Sequence, residues 1–99
     1  MEIKIDKESI IIHNKHILNV SGGNFAIINP SNLEFAIDSV NNESDPLKQA
    51  TNFLYYTATG HPFENGNKRT AFEVAKGILA SGALILDAQS GAIIQFITG

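Results

Sequence analysis

The chain contains no cysteine, which excludes disulfide bonds, zinc sites built from thiolates and a cysteine nucleophile. It also lacks an excess of positive charge, since 7 Lys and Arg residues stand against 10 Asp and Glu residues and the net charge is -3. This balance argues against a broad nucleic-acid-binding surface, so we expect no direct nucleic-acid partner. Residues 1–6 contain neither a long apolar core nor a cleavage site of small residues, so we expect a cytoplasmic protein with no membrane partner.

The composition favours one small globular domain. The 99 residues are 43% hydrophobic and 17% charged, which fits neither a disordered chain nor a membrane protein. A chain of this length has room for a single hydrophobic core but not for a second domain. We therefore expect residues 1–99 to form a single domain.

Start and stop signals divide the chain into four predicted helices. The candidate caps and first residues are Asp6 or Ser9, Asn29 with Pro30, Asp45 with Pro46, and Asn67. Gly60 is predicted to end the third helix and Gly82 the fourth. Residues 25–28 and 83–87 look extended, and residues 90–97 fit either a strand or a helix, of which we favour the helix. The pattern predicts a mainly α fold with a short extended segment.

The most informative motif lies between the third and fourth helices. It spans residues 61–69 and reads His-Pro-Phe-Glu-Asn-Gly-Asn-Lys-Arg. His61 is a candidate general base because histidine exchanges protons near neutral pH. The backbone N–H groups of Gly66 and Asn67 fall at the start of a helix, where such groups bind anions. Lys68 and Arg69 add positive charge that stabilises a transferring phosphoryl group. Together these residues favour phosphoryl or nucleotidyl transfer.

Each residue of the motif also has a simpler interpretation. A lone histidine after a glycine is more often a capping or solvated residue, and Lys68 with Arg69 would be ordinary surface charge. However, cations in the first turn of a helix oppose its macrodipole, which indicates a bound anion. Phe63 is expected to be a structural anchor that fixes the loop on the core.

Residues 61–69 resemble the signature of the Fic/Doc superfamily, which is His-Pro-Phe, any residue, Asp or Glu, Gly-Asn, Gly or Lys, then Arg. Residues 53–60 resemble the helix before this loop in Doc (death-on-curing) toxins, and residues 67–71 are similar to the Doc version. Weaker similarity includes His13 and residues 84–87. The resemblance implies a compact Fic/Doc-like helical bundle with a short flap. Doc-like chains tend to continue into another helix, so we expect this domain to lack a final helix, and an oligomer or a partner could cover the exposed core.

The resemblance implies that His61 deprotonates a hydroxyl group on a target protein and that Gly66, Asn67, Lys68 and Arg69 hold the phosphates of ATP. Because a lysine stands at position 68, as in Doc proteins, the implied reaction is transfer of the γ-phosphate to Ser or Thr. The implied target is the translation elongation factor that delivers aminoacyl-tRNA, and the implied setting is a toxin with a separate antitoxin. The alternatives are an AMP transferase and a weakly active or inactive module that binds a nucleotide or a partner.

Asn65 occupies the motif position at which the family normally has an acidic residue that binds Mg2+. An amide oxygen can bind a hard cation, although without the charge of a carboxylate. Glu64 is the neighbouring acid that could compensate. The resemblance therefore assigns a magnesium site to Asn65, with one ligand of altered chemistry.

The resemblance also assigns target docking to a flap, here Gly22, Gly23, Asn24 and Phe25. Paired glycines and alternating apolar residues suit an edge strand that pairs through its backbone, whereas a plain interhelical loop is an equally good interpretation. Residues 39–44 miss the last position of the built-in inhibitory motif that some Fic proteins carry. That absence suits a separate antitoxin.

Overall fold

Four helices make up most of residues 3–83, which are the residues that the computed structural model describes. They are α1 (Lys7–Ser21), α2 (Pro30–Asn41), α3 (Pro46–Gly60) and α4 (Asn67–Ala83). The only β pairing within this range is an isolated antiparallel bridge between Ile27 and Phe63. The mainly α prediction is confirmed. Ala83 ends α4 rather than starting an extended segment, and the predictions for residues 84–87 and 90–97 lie outside the described residues.

Two of the predicted N-terminal caps form as expected. The Asp6 carboxylate accepts a hydrogen bond of 2.8 Å from the Ser9 N–H at the start of α1. At the start of α3, the Asp45 carboxylate accepts one of 3.1 Å from the Lys48 N–H. In each case the side chain satisfies a backbone donor that has no partner inside the helix.

The predicted cap of α2 is wrong in its chemistry, although the helix does begin at Pro30. Asn29 makes no side-chain capping bond. Its amide nitrogen instead donates to the carbonyl of His61 at 2.8 Å. The side chain therefore joins the start of α2 to the end of α3.

The helix α3 ends at Gly60 as predicted, but the residue with the left-handed conformation is the next one. Gly60 is still helical, and the left-handed C-cap is His61, with φ 47° and ψ 59°. Position 60 requires a glycine for a different reason, since a Cβ atom there would lie 3.2 Å from the Cβ of Asn32 on α2. The glycine therefore permits close packing of α3 on α2, and the histidine adopts the left-handed conformation that ends the helix.

The hydrophobic core lies between α3 and its two neighbours, α2 and α4, while α1 packs mainly on α4. The buried cluster consists of Ile10, Leu33, Ala36, Ile37, Val40, Ala50, Phe53, Phe63, Val74, Ala75, Ile78 and Leu79. Phe63 is the member of this cluster that comes from the loop between α3 and α4. Within residues 3–83, no helix combines the length and the apolar character that a membrane crossing requires. The core thus holds the motif loop directly against the bundle.

Candidate functional site

His61 is held at the end of α3 in a backbone conformation that is unusual for a residue with a side chain. A left-handed conformation costs a non-glycine residue about 1–2 kcal/mol. Three hydrogen bonds stabilise it. The His61 N–H donates to the Thr57 carbonyl at 3.2 Å, Asn29 donates to the His61 carbonyl, and the Asn32 amide donates to the Gly60 carbonyl at 2.8 Å. The histidine is thus fixed by α2 as well as by its own helix.

The imidazole of His61 is oriented by the backbone of α3. Its Nδ1 atom lies 3.1 Å from the Thr59 carbonyl oxygen. Because a carbonyl can only accept, this contact assigns the proton to Nδ1 in the neutral ring. The Nε2 atom then carries a lone pair, and the side chain is exposed. The arrangement is that of a proton acceptor open to a substrate.

Phe63 anchors the motif loop, here defined as residues 61–66. Its side chain is fully buried in the core. On either side of it the loop pairs with residues 26–28, since the Ile28 N–H donates to the Pro62 carbonyl at 2.8 Å and the Glu64 N–H donates to the Ala26 carbonyl at 2.9 Å. The loop therefore has a defined path from α3 to α4.

Asn67 closes the loop at the first residue of α4. Its Oδ1 atom accepts from the Phe63 N–H at 2.9 Å, and its Nδ2 atom donates to the Phe63 carbonyl at 2.8 Å. Both ends of this buried amide are therefore used within the loop. The part of Asn67 that is left to contact an anion is its backbone N–H, so the side chain has a structural task that the sequence did not indicate.

The first turn of α4 presents backbone donors. The Thr70 N–H bonds to the Gly66 carbonyl at 2.8 Å and so begins the helical pattern. The N–H groups of Asn67, Lys68 and Arg69 have no acceptor among residues 3–83. At a helix N-terminus such groups carry partial positive charge, and here they adjoin the exposed side chains of Lys68 and Arg69. The turn is therefore suited to a phosphate group.

Arg69 also faces a groove between α1 and α4. The groove has a volume of about 430 Å³ and is lined by His13, His16, Ile17, Val20, Ser21, Arg69 and Glu73. Within the described range, the Arg69 Nε atom lies 3.5 Å from a carboxylate oxygen of Glu73. This exposed ion pair is weak, so Arg69 can exchange it for an anion.

Asn14 is a contributor to the site that the sequence interpretation missed. It is fully buried on α1, where its amide nitrogen donates to the Asn65 carbonyl at 2.9 Å and to the Thr70 hydroxyl at 3.0 Å. Its Oδ1 atom has no hydrogen-bond partner among the described residues. A polar residue among the apolar positions of a predicted helix was the available signal. Asn14 fixes the turn that precedes α4.

The predicted flap packs on the motif loop. Gly22 and Gly23 have φ angles of 88° and 114°, which favour glycine. The Phe25 ring lies 6.1 Å from that of Phe63, and the ammonium group of Lys15 lies 4.8 Å from the centre of the Phe25 ring. The structure thus brings the flap and the motif into one site, with Asn24 against the loop.

The position that the resemblance assigns to Mg2+ offers a poor set of donors. Asn65 supplies a neutral amide, and its Nδ2 atom donates to the Asn24 carbonyl at 3.1 Å. The Glu64 side chain is exposed. Magnesium in proteins usually takes one or two carboxylates together with substrate phosphates. The residues present do not fit an ion held by the protein at position 65.

One comparison with known proteins gave a match. A protein-family model described as Fic/DOC family matches residues 4–79, a range that contains the motif loop, the flap and most of α4. Neither the curated proteins nor the solved structures gave a match.

Proposed function

Since the chain belongs to the Fic/DOC family, whose members generally transfer nucleotide-derived groups to proteins, we propose that it is a protein kinase of the Doc type. The substrates in this proposal are ATP and a Ser or Thr hydroxyl group of a target protein. The observation that carries the proposal is the oriented imidazole of His61, whose Nδ1 lies on the Thr59 carbonyl and whose side chain is exposed. It belongs to the same motif as the backbone donors of the first turn of α4, which have no acceptor among residues 3–83.

The proposed reaction assigns one task to each part of the site. The donors of the first turn of α4, with Lys68 and Arg69, bind the phosphates of ATP and stabilise charge on the γ-phosphoryl group. The target hydroxyl oxygen forms a bond to the γ-phosphorus as its proton passes to Nε2 of His61. The bond from the γ-phosphorus to the bridging oxygen breaks, and ADP leaves with the electron pair. The products are ADP and a phosphorylated side chain.

Residues 26–28, which directly follow the flap, support a docking role for the target. Ile28 and Ala26 use their backbone groups on the motif loop, whereas the bridge residue between them, Ile27, points its own N–H and C=O away from it. Alternate residues of an extended segment face opposite edges, so Ile27 can pair with an incoming strand. The target proposed from the resemblance is the elongation factor that delivers aminoacyl-tRNA, and the proposed regulator is a separate antitoxin.

Labelled ATP tests the proposal. The chain is incubated with MgCl2, a translation extract or purified elongation factor, and ATP that carries the label at either the γ or the α phosphate. We expect label from the γ position only, and we expect His61→Ala to reduce it by about 10²–10⁴-fold, the usual contribution of a general base. Label from the α position would show AMP transfer instead. No His61-dependent label from either position would refute the kinase.

The chemistry at position 65 favours a second candidate from another class, a module that binds a nucleotide without turnover. A neutral amide replaces the metal-binding carboxylate there and is bonded to the flap. This module would bind ATP and yet transfer no label, and Asn65→Asp would raise its turnover from nothing. Turnover by the unaltered chain would exclude it.

A further inference from the structure

Asn65 makes hydrogen bonds on two sides, one through its backbone and one through its side chain. Its backbone carbonyl accepts from the Asn14 amide at 2.9 Å, which ties it to α1. Its side-chain Nδ2 atom donates to the Asn24 carbonyl at 3.1 Å, which ties it to the flap. The residue therefore bridges the bundle, the motif loop and the flap.

The direction of the bond to the flap explains why position 65 holds an amide. The Asn24 carbonyl is an acceptor and requires a donor. An ionised carboxylate can only accept, so an aspartate at this position would place its oxygens against the carbonyl without a bond. A carboxylate, which is the usual ligand of Mg2+ in proteins, therefore cannot make this flap contact.

The backbone of the flap is shaped around the Asn65 side chain. A Cβ atom at Gly23 would lie 3.1 Å from both Cβ and Cγ of Asn65, which is closer than side-chain packing normally allows. Gly23 also has a φ angle of 114°, where a side chain is strained. The close approach is independent of the hydrogen bond and indicates the same fixed contact between the flap and residue 65.

We propose that Asn65 is a positioning residue that clasps the flap to the motif loop in place of a metal ligand. The inference rests on the proposed function, because it concerns how the same loop binds the phosphates of ATP. Lys68 and Arg69 then supply the positive charge at the phosphates, and residue 65 contributes no ligand to Mg2+. The clasp holds Ile27 in line with the motif loop, where a target strand would pair.

Amide hydrogen exchange tests the clasp without any ligand. The reporters are the N–H groups of Ile28 and Glu64, whose hydrogen bonds join residues 26–28 to the motif loop. We expect Asn65→Asp and Asn65→Ala to speed their exchange by about two- to tenfold, as the loss of one hydrogen bond implies. The matched control is Asn52→Asp, because Asn52 on α3 also donates to a carbonyl at 3.1 Å, that of Ser39 on α2. Unchanged exchange in both Asn65 variants would overturn the clasp.

Calorimetric titration with ATP tests the statement that residue 65 does not act as a metal ligand. The quantity compared is the dissociation constant for ATP in EDTA divided by that in MgCl2. We expect this ratio to be smaller for the unaltered chain than for Asn65→Asp. The variant should bind ATP about tenfold more weakly in EDTA, since it places a negative charge near the phosphates, and should regain affinity with Mg2+. An equal or larger ratio for the unaltered chain would overturn the inference. If neither chain binds ATP in either buffer, the proposed function fails, while exchange at Ile28 and Glu64 still decides the clasp.

Discussion

Gly66 belongs to the motif loop and also packs directly against α1. Its φ angle is 77°, and a Cβ atom there would lie 3.1 Å from the Asn14 amide nitrogen and 3.3 Å from a methyl group of Leu18. Two separate requirements therefore select glycine. The backbone needs a left-handed conformation, and the turn needs space against a buried amide that also holds the loop.

Gly66→Ala should lower the free energy of unfolding by about 2–5 kcal/mol, the sum of backbone strain and overpacking. The control is Gly77→Ala on α4, where the φ angle is not positive and no described atom lies within 4 Å of the added Cβ. That change should raise the free energy of unfolding by about 0.5–1 kcal/mol. Urea unfolding of the two variants measures both. Shifts of the same sign would contradict this account of Gly66.

The structural role of Asn67 requires both a hydrogen-bond donor and an acceptor in one buried side chain. In Asn67→Asp the ionised carboxylate still accepts from the Phe63 N–H but faces the Phe63 carbonyl with no proton to donate. We expect a loss of about 1–3 kcal/mol in the free energy of unfolding, typical of a buried polar group without a partner. Asn19→Asp, an exposed position on α1, should change it little. Equal thermal midpoints for the two variants would count against the role of the Asn67 amide.

The sequence allowed some residues of the site to be predicted and not others, for a physical reason. His61, Gly66 and Arg69 belong to one short motif, so their spacing alone made them candidates. The two acceptors of the Asn14 amide lie 51 and 56 residues away along the chain. Contacts over such separations depend on how α1 packs on α4, which no local pattern specifies.

At the scale of the helices, the predictions that succeeded depend on local chemistry. Asp45 before Pro46 predicts both a cap and a first helical residue because each acts within one turn. Gly60 illustrates the opposite case. Glycine is the usual left-handed residue after a helix, yet here the hydrogen bond from Asn29 holds His61 in that conformation. A contact from the residue before α2 therefore decides which residue adopts the left-handed conformation.

The cap of α1 makes a prediction about pH. The hydrogen bond from the Ser9 N–H lowers the pKa of Asp6 below its ordinary value of 3.8. A lowered pKa in the folded state means that the cap stabilises the protein fully above pH 3.8 and that this contribution is lost as the pH falls through the lowered pKa. In Asp6→Asn the cap remains but does not titrate.

We therefore expect the unaltered chain to lose thermal stability relative to Asp6→Asn as the pH falls below 3.8, and the two to differ little at neutral pH. The thermal midpoints of both proteins are measured at a series of acidic pH values. Because the other carboxylates titrate in both proteins, their effect cancels in the difference between the two midpoints. A difference that does not change with pH would show that the Asp6 cap contributes nothing through its charge.

At the scale of the whole molecule, the candidate site is assembled from segments that are distant in sequence. The flap follows α1, the motif loop follows α3, and the two are joined by the contacts of Asn65 and by the pairing around Phe63. The catalytic candidate His61 is in turn held by Asn29 at the start of α2. Since each of the helices α1–α4 contacts the site, the stability of the bundle and the geometry of the site are coupled.

Phe63 is the clearest test of that coupling, because one side chain belongs to both the core and the motif. It is fully buried, and Phe63→Ala should cost about 3–5 kcal/mol, a large share of the roughly 5–15 kcal/mol that stabilises a typical domain. Phe63→Leu should lose less, because part of the buried volume is kept. Urea unfolding followed by circular dichroism measures both variants.

The control for Phe63 is Phe35→Ala on the outer face of α2, where the ring is 56% exposed and its edge-on contact is with Tyr56, at 4.7 Å between centroids. Losing that contact should cost about 1 kcal/mol. ATP affinity, measured by calorimetry on whatever fraction remains folded, should fall in Phe63→Ala and stay unchanged in Phe35→Ala. If the two variants lose equal stability, the core does not depend on Phe63. If Phe63→Ala keeps its ATP affinity, the phosphate-binding turn is positioned without this anchor, and the bonds of Asn14 and Asn67 alone must hold it.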